Sequence, residues 1–286
     1  MKRLGNYLIN SKFYISFAAV SLTIGTQIQL GGSPQIQPYL FIVFFATFVE
    51  YNLTRFVVLV LYKLPLAHSN DEWVNKQQKL FYTTFILAII GLIIALLNAK
   101  QIVMLSIVPM TIITILYTLP FLKLKQLSLN LRKVPFLKIF LIMLVWSFST
   151  VMLPILQLEQ LINWKTTCLL MLERFLFIGA LAILFDLRDV VADSQIGLKT
   201  IPSQIGESKS LLLSKVLLCF FLLDSFCYYL YTNLIYLFPA ALISFLVLLY
   251  LVNSSKLKLS IHYHSLYLDG AILLHGLLIA FFYLYH

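Results

Sequence analysis

Nine stretches of about 20 mainly apolar residues, separated by short polar runs, constrain this chain more than any other feature; a helix needs roughly that length to cross the hydrocarbon of a bilayer. They fall near 13–30, 38–62, 78–97, 102–120, 134–157, 164–185, 209–231, 234–252 and 266–285. Breakers and polar clusters punctuate them: Gly31, Gly32, Ser33 and Pro34, then 68–72, Asn98, Pro120, Glu159 and Asn253. The expected fold is an all-α polytopic membrane protein of about nine transmembrane helices, forming a single domain over 1–286. At 61% hydrophobic and 11% charged residues, the composition excludes an ordinary water-soluble domain. A basic start, Met1 to Arg3, precedes the first stretch, but no small-residue cleavage site follows it, so a retained first span is expected.

The net charge of +10 would suit nucleic acid if the basic residues formed one solvated stripe, but they fall in short runs between the apolar stretches. That is the pattern of an orientation signal, and no nucleic-acid partner is expected. One set of alternating loops, with the amino terminus, holds 17 Lys and Arg, among them Lys12, Lys123, Lys138, Arg188 and Lys199. The opposite set holds 2, Lys100 and Lys165, while Arg55 and Arg174 sit inside spans. The expectation is an integral, multi-pass protein of the cell (inner) membrane, with its amino terminus cytoplasmic and His286 outside. Cys168, Cys219 and Cys227 show neither metal-ligand nor disulfide spacing and read as buried, lipid-phase thiols.

The richest chemistry lies in FDLRDVVADSQIGLKTIPSQIG, from Phe185 to Gly206, where Asp186, Asp189 and Asp193 recur at spacings of three and four. On a helix these project from one face, where they repel one another unless a cation neutralises them. Hard oxygen ligands suit Mg²⁺, which commonly joins one or two carboxylates to substrate phosphates. A diphosphate site is one reading, and a solvated helix end marking the membrane surface is the other. The chain has only 11 carboxylates and places three of them here, which favours the site.

The string DxRDxxxDxxxGxKTxP, carried by Asp186, Arg188, Asp189, Asp193, Gly197, Lys199, Thr200 and Pro202 and followed by Gly206, resembles the UbiA superfamily of intramembrane prenyltransferases. The resemblance implies a helical bundle around a central cavity open to lipid, with two aspartate-rich motifs facing each other across it. It implies a prenyl diphosphate donor bound through Mg²⁺, a hydrophobic acceptor, and membrane lipid as the surroundings. It makes Asp186, Asp189 and Asp193 the catalytic, metal-binding second motif. Arg188, Lys199, and Tyr117 and Lys123 of YTLPFLKLK, are then expected to bind the diphosphate.

The first motif should fall in VEYNLTRF, from Val49 to Phe56, where Asn52 is present and the aspartates are not. Asn52 and Arg55 lie three apart on one face, and Arg can bind phosphate oxygens bidentately without a metal. Both are therefore expected at the diphosphate, with a headgroup-directed Arg55 as the alternative. If the altered motif has removed catalysis, a relative that only binds a polyprenyl lipid or diphosphate is the competing reading. A transporter would need matched halves with broken helices, and the sequence shows none. Glu173 and Arg174 lie deep inside a span, where ions are costly, and pairing with neighbouring spans is expected of them. His262 and His264 read as solvated loop residues.

Overall fold

The structure is a computed structural model that describes residues 7–60, 72–118, 136–158, 163–195, 199–254 and 263–286. Its long helices are α1 (Phe13–Gln29), α2 (Pro38–Val60), α3 (Gln78–Leu97), α4 (Gln101–Thr118), α5 (Leu137–Leu158), α6 (Trp164–Gln195), α7 (Glu207–Tyr231), α8 (Phe238–Asn253) and α9 (Tyr263–Leu284). Among the described residues, α3, α5, α7, α8, α9 and the Trp164–Val190 part of α6 are long and apolar enough to cross a membrane. Pro38–Leu53 and Gln101–Ile115 are shorter apolar stretches. By length and hydropathy alone, six of the nine expected spans are thus recognised.

The elements end where the sequence gives them reason to. Leu30 caps α1, and Gly31 follows at φ +81°, a conformation that glycine adopts without a side-chain clash. Pro38 opens α2, where a missing N–H costs nothing. A π-turn at Phe148–Met152 interrupts α5 just ahead of Pro154, whose ring cannot sit in an undisturbed helix.

The helices close into a ring. α9 packs on α1 and α8, α8 on α7, α7 on α6 and α6 on α5; the π-turn of α5 then returns to α1. α2 packs against α1 and α3, and α4 fills the side between α2 and the end of α5. The main core lies inside this ring, with Phe177, Leu218, Phe221, Tyr228, Tyr229 and Leu248 all buried. The outside is apolar as well: Leu87, Ile90, Ile94, Leu105, Val108 and Ile112 are exposed along α3 and α4. Water-soluble monomers do not expose apolar bands of that extent, so lipid covers them.

α6 continues ten residues beyond the expected end of its span, to Gln195, so the aspartates lie on helix as their spacing anticipates. Two expectations are corrected. α9 begins at Tyr263, which puts His264 on its first π-turn and not in a loop, whereas His262 lies outside the described residues. The three cysteines sit on the outer surface of the bundle, not packed within it.

Candidate functional site

The ends of α5, α6 and α9 meet near Asp186 and bring Asp186, Arg188 and Asp189 together with side chains of the other two helices. Asp186 is almost fully buried, and its Oδ1 lies 2.7 Å from Lys138 Nζ at the start of α5. One residue pair further along α6, the guanidinium of Arg188 grips Asp189 with two bonds, Nε to Oδ1 at 2.7 Å and Nη2 to Oδ2 at 2.9 Å. Arg188 also lies over the Phe185 ring, 5.5 Å from its centre. Lys138 and His264 are close enough to Asp189, and Asp269 and Tyr51 to Arg188, to act on it electrostatically. Lys12, ahead of α1, stands in the same relation to Asp269.

The second half of the string is turn chemistry. Thr200 and Ser203 cap a one-turn helix, Ile201–Ile205, reciprocally: the Thr200 N–H donates to Ser203 Oγ at 2.9 Å, and Thr200 Oγ1 accepts from the Ser203 N–H at 3.4 Å. Pro202 sits in that first turn, and Gly206, at φ +80°, swings the chain into α7. This one-turn helix packs on α6, and Lys199, just ahead of it, is exposed.

Asn52 and Arg55 meet as their spacing predicts, with Arg55 Nη1 donating to Asn52 Oδ1 at 3.1 Å. Their remaining described bonds go to backbone. Asn52 Nδ2 donates to the carbonyls of Ser11 at 3.1 Å and Phe48 at 2.9 Å, and Arg55 Nη1 to that of Asn10 at 2.7 Å. The pair fastens the segment before α1 onto α2. Lys123 lies outside the described residues, as do the side chains of Tyr117 and Asp193, whose backbones are helical.

Lys138, Asp269 and His264 were not singled out in the sequence as site residues. The signal was present for two of them: Lys138 and Asp269 fall inside apolar stretches, where an ionisable residue is costly and asks for a reason.

A second polar group occupies the other half of the ring. Glu173 Oε1 lies 3.1 Å from His275 Nε2, and His275 Nδ1 lies 3.0 Å from Ser244 Oγ. Gln29 Nε2 donates to Glu173 Oε2 at 3.1 Å and to Tyr229 Oη at 2.8 Å. Arg174 Nη2 donates to Gln29 Oε1 at 2.7 Å and to Thr26 Oγ1 at 3.3 Å. Glu173 and Arg174 pair with α1 and α9, as expected of intramembrane ions, and Gln29 carries the network on to Tyr229 of α7. A cavity of about 190 Å³ lies beside this group, lined by Gln29, Tyr228, Thr167, Asn163 and Thr232 among others.

The donors at the motif end fit Mg²⁺ in kind. Asp186 and Asp189 are carboxylates, and the metal commonly takes one or two of these with phosphate and water oxygens completing its shell. No cluster of three or more acidic, His or Cys side chains able to hold a metal occurs among the described residues.

No curated protein matches the chain in sequence. Among solved structures, a UbiA homologue from Archaeoglobus fulgidus bound to GPP and Mg²⁺ is similar at 12% identity and a TM-score of 0.65, covering 98% of each chain. A digeranylgeranylglyceryl phosphate synthase is similar at 15% identity and a TM-score of 0.55, covering 99% of this chain and 98% of the other. At such identities the two show a shared fold, and the sequence pattern of the UbiA prenyltransferase family itself matches residues 74–260, more than half of the chain. The chain is an integral membrane protein that belongs to the UbiA prenyltransferase family.

Proposed function

We propose that this protein moves an isoprenoid chain from a prenyl diphosphate to a hydrophobic acceptor, with the diphosphate bound at the end of the bundle that carries Asp186, Asp189 and Asp193. The observation that carries this reading is the set of charged side chains gathered there on separate helices. Asp186, Arg188 and Asp189 on α6, Lys138 on α5 and Asp269 on α9 meet at one bundle end of a family member. The related protein with GPP and Mg²⁺ bound supports both the donor class and the metal.

Each residue has a task of its own in this reading. Asp186 and Asp189, with Asp193 on the same helical face, hold Mg²⁺. Arg188 keeps Asp189 oriented and, with Lys199, Tyr117 and Lys123, presents donors to phosphate oxygens. When bound, Mg²⁺ supplies charge compensation for the departing diphosphate. The protein's share is to fix the diphosphate and keep water from the reacting carbon, and the apolar ring serves the second purpose. The acceptor enters from the lipid side, and the motif end faces the cytoplasm.

The direct test is binding of geranyl diphosphate to the purified protein in detergent, with and without Mg²⁺. Wild type is expected to bind it in a Mg²⁺-dependent manner and Asp189→Ala to lose that dependence. Equal binding with and without metal would remove Mg²⁺ from the site. One observation favours a second reading, a relative that binds a polyprenyl lipid without transferring it: the described bonds of Asn52 and Arg55 hold backbone carbonyls of 10 and 11 and supply no carboxylate. Diphosphate release on incubation with prenyl diphosphate and membrane lipid extract separates the two, since a pure binder releases none.

A further inference from the structure

Lys138 counts, by position, as one more basic residue at the edge of a span. A lysine with that job alone extends its flexible stem toward the headgroups. In the structure it is instead 8% exposed, and its ammonium lies 2.7 Å from an aspartate that is itself 2% exposed, on another helix. An ion pair so buried loses much solvation and needs a reason to be there. Asp189 is compensated in the same way by the Arg188 fork, so both described motif carboxylates carry a cation before any metal is present. On α2, where a facing motif would offer further carboxylates, the described bonds of Asn52 and Arg55 go to each other and to backbone. Side-chain cations beside the motif are therefore well placed to share with Mg²⁺ the charge that holds a diphosphate.

We propose that Lys138 is an exchangeable cation of the diphosphate site: it neutralises Asp186 until metal and diphosphate arrive, then passes from the carboxylate to a phosphate oxygen. This rests on the reading of the motif end as a prenyl diphosphate site. The chemistry suits lysine better than arginine. Its ammonium is a compact charge on a four-carbon stem with three donors, and it can change partners a few ångströms apart without the geometric demands of a planar fork. The exchange leaves neither ion uncompensated at any stage. Asp186 passes from ammonium to metal, and Lys138 from carboxylate to phosphate.

The exchange predicts opposite effects of one substitution on two ligands. With Lys138→Met in the full-length protein, Mn²⁺ alone, read by electron paramagnetic resonance, should bind more tightly than to wild type, because the ammonium that lies 2.7 Å from Asp186 no longer competes for the carboxylate. Geranyl diphosphate with Mg²⁺ should bind more weakly by roughly ten- to a hundredfold, the equivalent of one hydrogen bond to a charged group. Asp186→Asn makes the converse test. It breaks the Lys138 ion pair with Asp186, so geranyl diphosphate in metal-free buffer should bind more tightly than to wild type. Thermal midpoints of both variants report whether they fold, and if Lys138→Met does not, the Asp186→Asn comparison decides. Unchanged or weaker Mn²⁺ binding by a folded Lys138→Met, or no gain for Asp186→Asn, overturns the proposal and leaves Lys138 a structural partner. Failure of wild type to bind geranyl diphosphate at all overturns the proposed function instead, and the Mn²⁺ measurement still reads the Lys138–Asp186 competition.

Discussion

Glu173 is held by two other helices, through His275 on α9 and Gln29 on α1, and by the neighbouring Arg174 Nη2 at 3.8 Å on its own helix. Glu173, Arg174 and His275 are all at most 1% exposed. Removing one member of such a group leaves the others as buried, uncompensated charge, at a cost of about 3–5 kcal/mol. Glu173→Ala should therefore lower the thermal midpoint in detergent strongly. It should leave geranyl diphosphate affinity near wild type, because the 13 residues of helix to Asp186 span about 20 Å. Lost affinity at an unchanged midpoint would move Glu173 into the site. Arg55 makes the complementary case. Its described bonds join α2 to the carbonyl of Asn10, so Arg55→Ala should cost stability by about 1.5–3 kcal/mol, the range for hydrogen bonds to a charged group. Arg55→Lys should recover part of this, since one ammonium reaches one of the two acceptors. If affinity for geranyl diphosphate falls in both variants while their midpoints stay at the wild-type value, Arg55 is the phosphate ligand that its place in the sequence suggests.

Among the elements, the crossing of α1 and α9 is the most tightly specified. A Cβ on Gly276 would stand 2.3 Å from the backbone carbon and oxygen of Ser21, and Gly25 faces the same glycine across the crossing. Ser21 Oγ bonds the Leu273 carbonyl at 3.2 Å, so the two backbones approach closely enough for a serine to bridge them. That is the geometry small residues allow between membrane helices. Gly276→Ala should destabilise by about 1–3 kcal/mol through overpacking. Gly179→Ala, whose Cβ meets the flexible end of Met143, should cost much less in the same thermal unfolding experiment. Equal losses would mean that the α1 and α9 backbones can part freely. Neither crossing was legible in the sequence, because a glycine inside an apolar stretch does not say which helix lies against it. The helices themselves were legible, since their length and apolar content follow from the bilayer and not from tertiary contacts. So was the aspartate string, whose spacing puts Asp186 and Asp189 on one helix face. The place of Lys138 inside an apolar stretch asked for a reason, but its pairing with Asp186, 48 residues away, is a long-range contact that the sequence does not encode. The Asn52 and Arg55 pairing followed from their spacing of three, yet its anchorage to carbonyls of 10 and 11 is a long-range contact that spacing does not encode.

At the scale of the whole molecule, the two ends of the ring differ in chemistry. The motif end holds Asp186, Asp189 and Lys138, with Lys199 and Lys209 exposed beyond it. The other end holds the Gln29 and Tyr228 cavity, with Asn163 and Lys165 exposed at the start of α6. A diphosphate does not cross hydrocarbon at a tolerable cost, so whichever side the motif end faces is the side from which a donor must come. The excess of 17 basic residues to 2 predicts that this side is the cytoplasm. The prediction can be read on intact cells with a membrane-impermeant maleimide, after Cys168, Cys219 and Cys227, which lie on the outer surface of the bundle, have been replaced by Ala. Asn163→Cys should label directly, and Lys199→Cys only after the cells are permeabilised. Both sites are exposed, so a failure to label reports the side of the membrane and not burial. The reverse pattern would place the motif outside, and the proposed use of a cytoplasmic prenyl diphosphate would fall with it. Labelling of both positions in intact cells would instead mean that α6 does not cross the membrane, which contradicts the apolar length of Trp164–Val190.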